Sequence, residues 1–219
     1  MILTGLDIMI NKKEIFLVFG FLFLFLACNP PSNIPNGDFS KWKNEKKPEN
    51  WILKCGERTT DAKEGKYAIR IQACEFGGSQ EPGVAFSGHI NVWSFLSNLL
   101  KKSNNMLDHS LEGYPLTLNP KVLKGHYKYY TEKNDTAVVF GWIEKEIDGE
   151  NVEIATIGGL ITDTTSVYKP FRFGFKYEEK YKTYDASGGK LWLSFSSTQG
   201  YKRDSLSKST LYLDDVKIE

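Results

Sequence analysis

Apolar and polar residues alternate with a period of two along most of the chain. In YAIRIQA, Tyr67, Ile69 and Ile71 fall on one side, and Ala68, Arg70 and Gln72 on the other. A period of two puts successive side chains on opposite faces of an extended segment, so each such stretch predicts a half-buried β-strand. KVLKGHYKYY from Lys121, TAVVFGWIEK from Thr136 and VEIATIGGLI from Val152 read as three consecutive strands. FRFGFKY alternates Phe171, Phe173, Phe175 and Tyr177 with Arg172, Gly174 and Lys176. KLWLSFSS sets Leu191, Leu193 and Phe195 against Trp192, Ser194 and Ser196, and TLYLDDVKIE follows as the last strand.

Turn chemistry separates these segments. EKNDT (Glu132 to Thr136) and EIDGEN (Glu146 to Asn151) predict hairpin turns, the second through its Asp-Gly pair. DASGGK (Asp185 to Lys190) marks a further break. One stretch departs from the period. In VWSFLSNLLKKSNNMLDHS, Trp93, Leu96, Leu99 and Leu100 recur at helical spacing, which predicts a short helix ending near Ser103 to Asn105. About nine strands and one helix predict an all-β sandwich. The spacing does not match an immunoglobulin domain, and a jelly roll fits better. The last strand breaks its own parity: Leu211 and Leu213 point one way, Val216 and Ile218 the other, so a bulge is expected at Asp214-Asp215.

The beginning of the chain follows a different pattern. Ile15 to Ala27 is an apolar run of 13 residues behind Lys12 and Lys13, short of the ~20 that a membrane-spanning helix needs. Basic residues, a short apolar core and a small residue make an export signal over residues 1–27. FLAC (Phe25 to Cys28) resembles the bacterial lipobox, which implies lipidation at Cys28, with residues 28–35 as a Pro- and Asn-rich tether. The expectation is a lipid-anchored protein of the bacterial outer membrane, displayed at the cell surface. Plain secretion is the alternative.

Composition narrows the function classes. The formal net charge is +1 and no basic cluster stands out, which gives no footprint for nucleic acid. Of three cysteines, one is assigned to the anchor. Cys55 and Cys74 remain, and in an oxidising compartment they suggest a disulfide, with two buried thiols as the alternative. Gly-x-Ser-x-Gly and His-Glu-x-x-His are absent, and His89, His109 and His126 are unlinked. With 27 acids in the chain, a glycosidase pair can always be proposed, so no catalytic residue is assigned.

Two ends of the domain carry a resemblance. NGDFSKWKNEKKPENW (Asn36 to Trp51) resembles the opening of galactose-binding-like jelly-roll modules, and LYLDDVKIE (Leu211 to Glu219) resembles their last strand. YPLTLNPKVLKGHYKYYTEKNDTAVVFGWIEK from Tyr114, IGG at Ile157, YKPFRFGFKY and LWLSFSSTQG are similar to the "putative carbohydrate metabolism domain" family of Bacteroidota surface lipoproteins. The resemblance spans about residues 34–219, with a domain boundary at 36. His126 stands where the family commonly has Tyr. It implies a carbohydrate-binding-module-like fold and brings no catalytic residues. Modules of this kind often hold a structural calcium between first loop and last strand, which implies Asp38 and Asp215, with Asp214 as an alternate. The competing reading has Asp38 capping a turn and the Asp pair bonding loops.

Sugar recognition needs aromatic faces and polar groups for hydroxyls. Trp142, Trp192, Tyr127 and Tyr129 are the strand aromatics that could share one sheet face; core packing is the alternative for each. Trp42 and Trp51 belong to the opening motif and Trp93 to the predicted helix. The functional expectation is carbohydrate binding without catalysis, with a glycan as partner. An adhesion or assembly subunit binding a protein is the rival, and a glycoside hydrolase comes third.

Overall fold

The computed structural model describes residues 34–76, 79–90, 111–132, 135–199 and 208–219. The export signal, Cys28, the predicted helix with Trp93, and His109 lie outside the described residues. Twelve strands build two antiparallel sheets: β1 (Trp51–Lys54), β2 (Gly56–Thr59), β3 (Ala68–Gln72), β4 (Val84–Ser87), β5 (Tyr114–Pro115), β6 (Val122–Tyr130), β7 (Ala137–Ile147), β8 (Glu150–Ile161), β9 (Thr165–Gly174), β10 (Lys176–Tyr177), β11 (Lys190–Ser196) and β12 (Thr210–Ile218). The seven-stranded sheet runs β10-β8-β7-β11-β4-β1, with β5 also paired to β11. The five-stranded sheet runs β9-β6-β12-β3-β2. Three two-stranded ribbons (Trp42–Asn44 with Lys47–Pro48, Cys74–Phe76 with Ser79–Glu81, His89–Ile90 with Leu111–Glu112) complete an all-β sandwich of jelly-roll type.

Period-two alternation becomes layering. Val139, Ile143, Leu191, Leu193 and Phe195 from one sheet meet Ile69, Ile71, Leu123, Tyr129, Leu211 and Leu213 from the other in one buried cluster. Burying a side chain of this size contributes about 1.5–3 kcal/mol, so the alternating face decides which side of each strand is interior. The Asp-Gly hairpin forms as expected: Ile147 pairs with Glu150 around Asp148 (φ 54°) and Gly149 (φ 84°), the doubly left-handed turn that suits strand twist. EKNDT does not close a hairpin. It carries the chain from β6 in one sheet to β7 in the other, because the inward face of each strand is already committed to opposite sides of one core.

The ends of the domain are tied together by the motifs that stood out in the sequence. Asn36 adopts φ 54°, where a short amide side chain is tolerated. Its Nδ2 donates to the carbonyls of Lys41 and Glu49 (2.9 and 2.8 Å), and its Oδ1 accepts from Lys41 N. Phe39 is fully buried, edge-on to Trp51 at 5.2 Å. Trp42 and Trp51 donate their indole N–H to Phe39 O and Pro35 O, so both are structural. The bulge falls in β12: Lys124 faces Lys217, the next pair is His126 with Asp214, and Asp215 takes φ 51°. The extra residue switches parity, so that Val216 and Ile218 join Leu213 in the core.

Cys55 and Cys74 form a disulfide with Cα atoms 5.5 Å apart. It fastens the corner where the chain leaves one sheet for the other to the segment after β3. Closing a loop of this length contributes about 3 kcal/mol in the chain-entropy model.

Candidate functional site

The aromatic residues of the seven-stranded sheet collect on its outer face. On β7, Phe140 and Trp142 point away from the core while Val139, Gly141 and Ile143 point into it. Trp142 lies directly opposite Trp192 of β11, and the indoles stack with centroids 5.5 Å apart and planes 10° from parallel. Phe140 packs on Trp142 at 5.8 Å, and Phe86 of β4 on Trp192 at 5.9 Å. The row therefore runs Phe86, Trp192, Trp142 and Phe140 across three strands. Cross-strand aromatic pairs of this kind each contribute roughly 0.2–1 kcal/mol.

The two tryptophans are not equivalent. Trp192 is only 7% exposed, and Gly113 lies so close that a Cβ there would sit 2.6 Å from the indole. Its Nε1–H is buried and has no acceptor among the described residues, a cost of about 1–3 kcal/mol that stacking has to offset. Trp142 is half-buried. Trp192 covers one of its faces; the other turns toward β8. There the cross-strand partner of Trp142 is Thr156, and that of Phe140 is Gly158. A Cβ built on Gly158 meets nothing within 4 Å, so the floor beside the indole is open. Lys176 of β10, exposed, continues the row beyond Thr156. Phe140 and Leu160, 49% and 56% exposed, border the slot.

Tyr127 and Tyr129 do not join this face. They lie on β6 in the other sheet and point inward, 8% and 0% exposed, with Tyr129 Oη donating to Ser197 O at 3.1 Å. Their parity is that of buried Leu123, and His126 and Lys128 take the outward positions. Both tyrosines are core residues.

The three aspartates separate as well. Asp38 is exposed and its Oδ1 accepts from Ser40 N (3.3 Å) and Oγ (3.1 Å), a turn cap. Asp214 is fully buried: Oδ2 accepts from Lys63 N and Glu64 N (2.7 and 3.0 Å), and Oδ1 from Asp215 N (2.8 Å). Burial pushes its carboxyl above the ordinary range, against the pull of those three N–H donors. Asp215 pairs with the Lys217 ammonium at 2.8 Å and lies 3.5 Å from His126 Nδ1. The first loop and last strand do meet, Val216 N donating to Gly37 O at 2.8 Å. Yet amide and ammonium hydrogens already face both oxygens of Asp214 and Oδ2 of Asp215, so this donor set does not fit a calcium ion. Among the described residues no group of three metal-ligating side chains occurs.

A second depression of about 730 Å³ lies beside the disulfide. Arg70 is fixed there by Glu57 (2.7 Å) and Gln72 (2.6 Å). Among the described residues its lining has no aromatic ring, and Arg70, Gln72 and Glu57 offer hydrogen bonds. None of Thr156, Gly158, Lys176 and Gly113 was among the binding residues expected from the sequence. The signal for them is cross-strand register, which a single strand does not carry.

No protein-family model and no curated protein matches this chain. Solved structures do match. One, from Bacteroides thetaiotaomicron and named a "putative glycoside hydrolase", is 16% identical with a TM-score of 0.54; the match covers 86% of this chain and 62% of that one. Another of the same name, from Bacteroides vulgatus, is 18% identical with a TM-score of 0.52, covering 75% and 78%. A family 11 carbohydrate-binding module from Clostridium thermocellum, in complex with a mixed-linked tetrasaccharide, is a looser likeness at 10% identity and a TM-score of 0.42, covering 81% and 94%. Identities this low bear on the fold and not on what the chain binds.

Proposed function

We propose that this protein is an exported lipoprotein, anchored through Cys28 to the bacterial outer membrane, whose jelly-roll domain binds carbohydrate without turning it over. The observation that carries the reading is the half-buried Trp142, stacked on Trp192 on one side and paired on the other with Thr156 of β8, beside the open position of Gly158. The C–H face of a pyranose stacks on an indole, and a few polar groups then select its hydroxyls. Thr156 Oγ1 and the Lys176 ammonium are the polar groups in that row. Trp192 holds Trp142 in place before any ligand arrives, which lowers the ordering cost of binding.

The test is a glycan-array screen of the purified protein and of Trp142→Ala. A saturable saccharide signal that falls about 30-fold in the variant, the roughly 2 kcal/mol of an aromatic anchor, supports the reading. A blank array from folded protein sinks it and moves the assignment to a protein partner.

A glycoside hydrolase is the second reading, favoured by one observation. Glu144, two residues beyond Trp142 on the same face, lies opposite Glu153 of β8. Paired carboxylates about 5–9.5 Å apart are what glycoside hydrolysis requires. Lys190 flanks Glu144 on its other side, and Glu153 is exposed, neither of which suits a general acid. Release of reducing ends from an array-positive glycan, lost in Glu144→Gln, would establish hydrolysis instead of binding alone.

A further inference from the structure

The outer face of the five-stranded sheet carries a second cluster, on the other side of the sandwich from Trp142. Arg172 of β9, Lys124 of β6 and Lys217 of β12 lie abreast, Lys124 being the cross-strand partner of both others. Like charges placed directly opposite across strands are destabilising, and nothing in the packing of this face demands three cations in one row. The Glu219 carboxylate bridges two of them: one oxygen meets Lys124 Nζ and the other lies 3.0 Å from Arg172. Asp215 takes the third at 2.8 Å. Three cations in the row share two side-chain carboxylates.

Beside this row is a depression of about 290 Å³, at the small end of ligand-pocket volumes. The backbone at Gly125, the ring of Pro170 and the edge of Phe171 line it, together with His126. His126 Nδ1 is buried with no hydrogen-bond partner among the described residues; Asp215 lies 3.5 Å away and is engaged by Lys217. The depression is thus larger than a simple oxyanion, apolar on one wall, and bordered by three cations that share two side-chain carboxylates. Glu219 shows what those donors hold, a carboxylate shared by an ammonium and a guanidinium. Both Glu219 and Arg172 are largely solvent-exposed, at 45% and 64%, and exposed ion pairs contribute little, so a ligand's own anionic group can replace that carboxylate.

We propose that the Lys124–Arg172–Lys217 cradle binds an acidic sugar, its carboxylate or sulfate held by the cations and its ring lodged against Pro170. The site does not rest on the reading of Trp142. Calorimetric titration of the purified protein with glucuronate, glucose 6-sulfate, glucose and inorganic sulfate tests it. The acidic sugars are expected to bind at least about tenfold tighter than glucose, the scale of one charged hydrogen bond. Their binding weakens as salt is raised from 0.05 to 0.5 M, as exposed charges are screened. Arg172→Gln, a surface change, loses it about tenfold, and Glu219→Gln tightens it. Which of the two acidic sugars binds tells a carboxylate site from a sulfate site. Equal binding of glucose and the acidic sugars, or full retention in Arg172→Gln, overturns the proposal. Inorganic sulfate binding as tightly as glucose 6-sulfate overturns the sugar assignment.

Discussion

Gly158 and Gly159 are neighbours on β8 with opposite surroundings, and a valine at each separates folding from binding. At Gly158 an added Cβ meets nothing within 4 Å, and its backbone is not left-handed. Glycine within a strand costs roughly 0.5–1 kcal/mol relative to alanine, and valine suits a pleated surface better still. Gly158→Val is therefore expected to hold or raise stability by about 0.5–1 kcal/mol. For a domain of this size that is a rise of about 1–4 °C. The same valine fills the floor beside Trp142 and Phe140, so saccharide binding should fall by tenfold or more. At Gly159 the Cβ would sit 2.2 Å from Phe173 Cε1. Overpacking of this kind typically costs 1–3 kcal/mol, so Gly159→Val should melt several degrees lower. Thermal melts and glycan-array titrations of the two variants supply both readouts. If Gly158→Val melts several degrees below wild type, or binds saccharide as well as wild type, the assignment of the outer slot is wrong.

Three further outcomes follow from the same geometry. Reducing the Cys55–Cys74 bond, or Cys55→Ser, should remove about 3 kcal/mol, a fall of about 6–12 °C in a thermal melt with and without reductant. Asp214→Asn presents an amide N–H₂ to N–H donors from Lys63, Glu64 or Asp215 and should cost about 1–3 kcal/mol by denaturant titration. Because burial raises the Asp214 carboxyl, its protonation favours the folded chain. That contribution is full below the ordinary value of about 3.9 and is lost as pH climbs past the raised one. Wild type should therefore gain on Asp214→Asn as pH falls from 7 to 4, and a constant gap would contradict the shift. Adding EDTA should leave the melting temperature unchanged, since Asp38 Oδ1, both Asp214 oxygens and Asp215 Oδ2 already accept protein hydrogens; a calcium-dependent rise would overturn that.

Strands were legible wherever one face is apolar and the other polar, as in KLWLSFSS, because burying one parity outweighs every other preference of the segment. The β12 bulge was legible for the same reason: Leu213 and Val216 cannot both face the core without an extra residue between them. GHYKYY also carried its answer, since Tyr127 and Tyr129 share parity with Leu123 and alternate with His126 and Lys128. In VFGWIEK both parities are apolar, and only pairing with Trp192 identifies Phe140 and Trp142 as outward. The floor of the slot was beyond reach. The Asp-Gly turn alone would set Ala155 opposite Trp142. A bulge at Ile143/Glu144 shifts the register by one, burying Ile154 and Ala155 together and turning Thr156 and Gly158 outward. A slip of one residue exchanges the two faces of a strand, so no single-strand pattern reveals it. EKNDT misled because polar turn chemistry marks a reversal without saying which sheet receives the next strand.

In the proposed function a sugar ring lies on the Trp142 face turned toward β8. A crystal structure of the protein soaked with the strongest saccharide from the array tests it most directly. A pyranose stacked on the Trp142 indole above Thr156 and Gly158 is the expected result. Electron density for that saccharide in the groove beside the Cys55–Cys74 disulfide, with the Trp142 face bare, would contradict it.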